Sequence, residues 1–158
     1  VVDSSAGDFL PRLTDAFAAT GTRLAFDATG GGPMAGQLLQ AMEAALLRQP
    51  GRAYERYGSQ IHKQVYLYGY LERKPTTLPP GLGLAWGVAG WLVFAFWRSL
   101  PPERRAQLQA RVAAELTTTF ACRYARECSL PELLTPGTLR QSVSMATAGK
   151  TLLRLAPG

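Results

Sequence analysis

The stretch Arg23–Met42, RLAFDATGGGPMAGQLLQAM, decides the fold. Leu24-Ala25-Phe26 is a short apolar run of the kind that makes a buried strand, and it ends at an acid, Asp27. Gly30-Gly31-Gly32 then punctuates the chain. Pro33 follows at a plausible first helical position, where its missing N–H costs nothing. Met34, Leu38, Met42 and Leu46 recur at every fourth residue, with Leu39 on the same side, which is one face of a helix. Strand, glycine turn and helix together are half of a β-α-β unit.

The same alternation extends in both directions. Upstream, Phe9, Leu13 and Phe17 mark a helix that Ser4 or Ser5 can cap and that Gly21 stops. Val1–Asp3 reads as a strand end before it. Downstream, Pro50-Gly51 closes the second helix, and HKQVYLYGYL (62–71) reads as a strand centred on Val65–Tyr68 and ending at Gly69. The first 70 residues therefore predict β-α-β-α-β, which argues for a parallel sheet covered by crossover helices.

From Thr76 to Trp97 no residue is charged. GLGLAWGVAGWLVFAFW (81–97) is 17 residues long, at the lower limit for a membrane span. Pro79-Pro80 and four glycines favour a buried strand, a turn at Gly87–Gly90 and a buried helix from Trp91. Arg104–Leu116 predicts a surface helix with Leu108, Val112 and Leu116 on its apolar face. Thr117–Phe120 predicts a short strand. Thr135-Pro136 opens a last helix, with Leu139 and Val143 inward and its end at Gly149. Lys150–Leu155 predicts the final strand.

Nearly half the residues are hydrophobic and 18% are charged, a globular composition. The net charge of +6 is uneven: residues 1–50 carry three arginines against five acids, and residues 51–158 carry 14 basic against 6 acidic residues. The basic residues are scattered, which speaks for a solvated surface rather than a nucleic-acid footprint. Two cysteines and one histidine, His62, are too few for a zinc site built from those residues alone. The first residues show no charged stretch followed by a short apolar run, so no secretory leader and a cytoplasmic setting are expected. With one histidine and no GxSxG, hydrolase chemistry is disfavoured. The glycine turn is not a dinucleotide fingerprint, because from Gly30 the chain runs G-G-G-P-M-A, and it lacks the Lys-Ser/Thr of a P-loop.

LAFDATGGG followed by a helix, then VYLYG (65–69), then GKTLLRL (149–155), resembles the nucleotide-binding domain of the medium-chain dehydrogenase/reductase superfamily, the group of quinone reductases and alcohol dehydrogenases. The resemblance implies an α/β fold, an incomplete Rossmann-type parallel sheet with flanking helices and with strands one and two missing. It implies the C-terminal part of an oxidoreductase that moves hydride between NADP or NAD and a quinone, enone or alcohol. The phosphate turn and the substrate domain would lie upstream of Val1, in keeping with a start that has no methionine. The implied cofactor-binding residues are Ala28 and Thr29 after the fourth family strand, Tyr68, Gly69 and Tyr70 after the fifth, Gly87 and Ala89 near the sixth, and Lys150 near the phosphates. The connection RQPGRAYERYGSQIHK (48–63) is longer than the family's. No catalytic residue and no zinc site is implied in this chain. With strand one absent, Arg23–Asp27 becomes an open edge, so either Val1–Asp3 covers it or the chain self-associates, a homo-oligomer being expected. A non-catalytic basic α/β binding module and a membrane-associated protein anchored through 82–97 are the alternatives; neither nucleic acid nor membrane is the expected partner.

Overall fold

The computed structural model describes residues 1–51, 55–121, 124–143 and 150–155. The chain divides into two compact units, Val1–Arg98 and Ser99–Gly158. The first is the α/β body. Helix α1 spans Phe9–Thr20, strand β1 Leu24–Asp27, helix α2 Met34–Leu47, strand β2 Lys63–Leu67, strand β3 Trp86–Gly90 and helix α3 Val93–Ser99. The strands form one parallel sheet in the order β1-β2-β3.

Helix α1 ends where the sequence predicts. Gly21 takes a left-handed conformation, φ 65°, and its N–H reaches Phe17 O at 2.8 Å. The start differs from expectation. Asp8 is the N-cap, and Ser5 instead donates from its N–H and hydroxyl to Asp3 Oδ1 at 2.9 and 2.8 Å. Val1–Asp3 forms no strand and does not cover β1. Val2 packs instead on the cluster of Phe9, Leu13 and Ala41, because an apolar hollow between helices competes well with two or three ladder bonds.

Alternate residues of the sheet meet the helices. Ala25, Val65, Leu67, Trp86 and Val88 turn toward α2, where Ala35, Leu39, Met42 and Leu82 complete the core. Burying a side chain such as Leu39 or Met42 stabilises by about 1.5–3 kcal/mol. On the other face Phe26 stacks on Tyr66 and meets Tyr68 and Trp91 edge-on.

Two expectations for the uncharged stretch are corrected. Gly87–Gly90 is not a turn; it lies within β3, paired with Gln64–Leu67. Gly has no side chain to pack, but β2 needs a second neighbour and the ladder bonds override local propensity. The helix after Trp91 is not buried: α3 has no buried residue. No helix among the described residues is long and apolar enough to cross a membrane.

The second unit contains α4 (Pro102–Ala114), β4 (Arg126–Ser129), α5 (Leu130–Leu133), α6 (Pro136–Val143) and β5 (Thr151–Arg154), with β4 and β5 parallel. Helix α4 and strand β5 match the sequence reading. Thr117–Phe120 is a turn rather than a strand, with Phe120 N–H bonded back to Glu115 O at 3.1 Å. The strand lies later, at β4, where Cys128 is buried. Ser129 and Glu132 form a capping box for α5, with Ser129 N–H donating to Glu132 Oε2 at 2.7 Å. Leu139, expected to face inward, is exposed. The expected helix end at Gly149 lies outside the described residues, and so does Cys122.

Candidate functional site

In an open parallel α/β sheet, ligands gather beyond the carboxyl ends of the strands. Here the turns after β1 and β2 meet in one corner. Gly30, φ 72°, sits so close to the next turn that an added Cβ would collide with Gly69 O. A Cβ on Gly69 would likewise strike Ala28 O. Glu72 N–H donates to Thr29 O at 2.9 Å, and Tyr68 N–H to Asp27 O at 3.0 Å. Ala28 and Thr29 are thus brought against Tyr68, Gly69 and Tyr70, five of the eight residues implied by the resemblance.

The glycine turn is filled by protein. A Cβ on Gly31 would meet Lys74 O and, at 2.5 Å, Glu72 O. Gly32 N–H donates to Pro75 O at 3.2 Å, and Thr76 Oγ1 donates to Gly30 O at 2.7 Å. Thr77 N–H reaches Gly32 O at 2.9 Å. Carbonyl oxygens crowd these glycines, and an anion placed there would face acceptors. Their small size serves backbone packing, not a phosphate cradle.

Asp27 holds the corner's shape. Its Oδ1 accepts from Thr29 N–H at 2.7 Å and from Thr29 Oγ1 at 2.5 Å. Its Oδ2 is buried with no hydrogen-bond partner among the described residues. Because Thr29 spends its hydroxyl proton on Asp27, its oxygen is left as an acceptor. Tyr68 and Tyr70 are 53% and 80% exposed beside it.

Of the remaining three implied residues, two lie on β3 and one in the second unit. Ala89 pairs with Tyr66, one position before the end of β3, and Gly87 pairs with Gln64, further back along the ladder. Lys150 belongs to the second unit, where its carbonyl accepts from Ala125 N–H at 2.9 Å just before β5.

At the opposite end of the sheet lies a cluster that sequence reasoning missed. Lys63 is 0% exposed and Glu43 is 2% exposed, and Lys63 Nζ bonds directly to Glu43 Oε2. Ser59 completes the set: its N–H donates to Glu43 Oε1 at 2.6 Å and its hydroxyl to Oε2 at 2.5 Å, while Lys63 Nζ reaches Ser59 Oγ at 3.0 Å. Burial pushes the Glu43 carboxyl up, but the hydrogen bonds from Lys63 and Ser59 and the lysine charge outweigh it, so its pKa is held below the usual range. Gly58 and Gly83, both with positive φ, close over the carboxylate. The one available signal was Glu43 itself, an acid between Met42 and Leu46 on the apolar side of α2. His62, next to Lys63, is exposed and lies 3.2 Å from Gln64 Oε1. Among the described residues no group of three His, Cys, Asp or Glu side chains is placed to hold a metal.

No protein-family model matches the sequence, and no curated protein matches it. Among solved structures the chain is similar to a protein from Mesorhizobium loti assigned by name as an NADPH:quinone reductase, with a TM-score of 0.60 and 19% identity. The likeness covers 96% of this chain and 39% of that one, so the chain spans well under half the length of the protein it matches. At that identity the likeness shows the fold: this chain folds as an α/β body with parallel sheets and flanking helices, similar to that reductase over nearly all its length.

Proposed function

We propose that the chain is part of an NAD(P)-dependent oxidoreductase of the medium-chain dehydrogenase/reductase type, and that the corner of Ala28-Thr29 and Tyr68-Gly69-Tyr70 borders the nicotinamide half of the cofactor. The observation that supports this most is the meeting of two turns at the carboxyl ends of adjacent parallel strands, in a fold shared with a protein named as an NADPH:quinone reductase. The cofactor would supply hydride chemistry with a quinone, enone or alcohol.

The residues present fit one end of such a molecule. Thr29 Oγ1, its proton committed to Asp27, offers an acceptor to a carboxamide N–H or a ribose hydroxyl. Gly69 permits a close approach of backbone. The Tyr68 ring borders the corner and its hydroxyl both donates and accepts. The glycine turn offers no phosphate cradle, so the pyrophosphate would be held by other groups; Lys150 is proposed near the phosphates, and Gly87 and Ala89 along the third strand, on the family resemblance alone. A homo-oligomer and a cytoplasmic setting belong to the same reading.

Amide chemical-shift mapping of the chain with millimolar NADPH tests it. Shifts concentrated at residues 28–30 and 68–70, saturating only in the millimolar range, are expected from a partial site. Shifts elsewhere, or none, would overturn the corner assignment. Micromolar affinity by calorimetry would show a complete site and would sink the partial-domain reading.

A further inference from the structure

The long connection between α2 and β2 has no part in the cofactor corner, yet it walls a cavity. From Glu55 onward it folds against the amino end of the sheet. Gly58 N–H donates to Glu55 O at 3.1 Å, and Ser59 N–H then ties the segment to Glu43. Between this segment, the end of α2 and the loop before β3 lies an open cavity of about 420 Å³. That is within the range of small-molecule sites. Its floor is fixed. Gly58, Gly81 and Gly83 line it, all with positive φ. A Cβ on Gly58 would strike the Glu43 carboxylate, and a Cβ on Gly83 would press on the same group. Lys63 balances the charge of that carboxylate and Ser59 occupies its oxygens, so the floor is electrically settled.

The walls are of a different kind. Leu47, Tyr57 and Leu84 border the cavity and are 50%, 65% and 76% exposed. Three large apolar side chains around one hollow keep surface in water that a ligand would cover. Glu55 and Arg56 add one carboxylate and one guanidinium to the same rim. Arg56 lies over the Tyr57 ring, 5.6 Å from its centroid, which keeps its charge beside the apolar wall.

We propose that this cavity binds an α-amino acid with a large apolar side chain, as its zwitterion. Arg56 takes the carboxylate, Glu55 takes the ammonium, and the side chain covers Leu47, Tyr57 and Leu84. A plain cation would leave Arg56 beside a like charge, and a plain anion would do the same to Glu55. A ligand that carries both charges and an apolar body matches every kind of group on the rim. The glycine floor leaves it room, because no side chain rises from there. The site lies at the end of the sheet away from the cofactor corner and stands whether or not that corner holds a dinucleotide.

Amide shift mapping of the whole chain with L-phenylalanine, up to about 50 mM, tests it. Saturable shifts at Tyr57, Gly58, Gly83 and Leu84 are expected, with a dissociation constant on the order of 1 mM for so small a ligand. Three relatives of the ligand each lack one part: glycine the apolar body, phenethylamine the carboxylate and 3-phenylpropionate the ammonium. Each should bind at least about 3-fold more weakly. Arg56→Gln should erase the preference for L-phenylalanine over phenethylamine, and Glu55→Gln the preference over 3-phenylpropionate. Both side chains stand on the rim, so the circular dichroism spectrum should not change. Absence of saturable shifts at those four residues would overturn the proposal. So would a relative that binds as tightly as L-phenylalanine, or a variant that keeps the wild-type preference.

Discussion

The two ends of the three-stranded sheet are built by opposite means. The carboxyl end is held by backbone: glycines so close that no Cβ fits, carbonyls packed on carbonyl-facing turns, and tyrosines left in water. The amino end is held by charge: a lysine and a glutamate wholly removed from solvent and satisfied by one serine and each other. A buried ion pair gives little net stability, because desolvation offsets the attraction, yet it punishes any register that separates the partners. It fixes where β2 begins. The backbone corner leaves open polar groups at the other end, where a ligand can use them. One end sets the register of β2, and the other is the end we propose for the cofactor.

The largest effect should follow from splitting the buried pair. Lys63→Met leaves Glu43 charged or forces it to protonate in a dry site, and should cost about 3–5 kcal/mol in urea unfolding. The paired change Glu43→Leu with Lys63→Met should recover most of that loss. If the double variant is as unstable as the single, the cluster is not an ion pair in energetic terms.

Next is the corner. Gly30→Ala places a methyl onto Gly69 O at a positive φ, and about 2–3 kcal/mol of destabilisation is expected. Gly7→Ala, with nothing within 4 Å, is the control and should lie within about 0.5 kcal/mol of wild type. Equal effects at the two glycines would remove the argument that the turns interlock.

The pH dependence is smaller. Glu43 has a lowered pKa in the folded chain, so its contribution is fully present above the unfolded carboxylate value of about 4.3 and is lost as pH falls through the lower folded value. From neutral pH down to about 5 this group should leave stability flat. Below about pH 4 wild type should lose more stability than the Glu43→Leu/Lys63→Met variant, whose acid limb lacks this component. Parallel acid limbs for the two proteins would contradict the assignment.

The smallest effect is at the aromatic rim. Tyr68→Phe keeps the ring contact with Phe26 and removes an exposed hydroxyl, so stability should change by less than about 0.5 kcal/mol. NADPH-induced shifts at Thr29 and Gly69 should nevertheless weaken. Unchanged shifts would place Tyr68 outside the site.

Local sequence determined the elements that local rules govern. The four-residue recurrence from Phe9 and from Met34, the stop at Gly21 and the break after Asp27 were enough for α1, β1, α2 and β2, because helix periodicity and glycine's access to positive φ need no distant partner. They were enough, too, to bring Ala28-Thr29 and Tyr68–Tyr70 to the same end of a parallel sheet. Tertiary structure decided the rest. Gly87–Gly90 is a strand because β2 offers it a ladder, though its glycines read as a turn. Thr117–Phe120 is a turn although its threonines favour β structure, because Glu115 O captures the Phe120 N–H. Lys63 and Glu43 look like surface charges in a linear chain and become a buried pair between β2 and α2, since only the fold brings 20 residues of separation down to a direct bond. Burial of charge depends on what is adjacent in space, and periodicity along the chain carries no record of it.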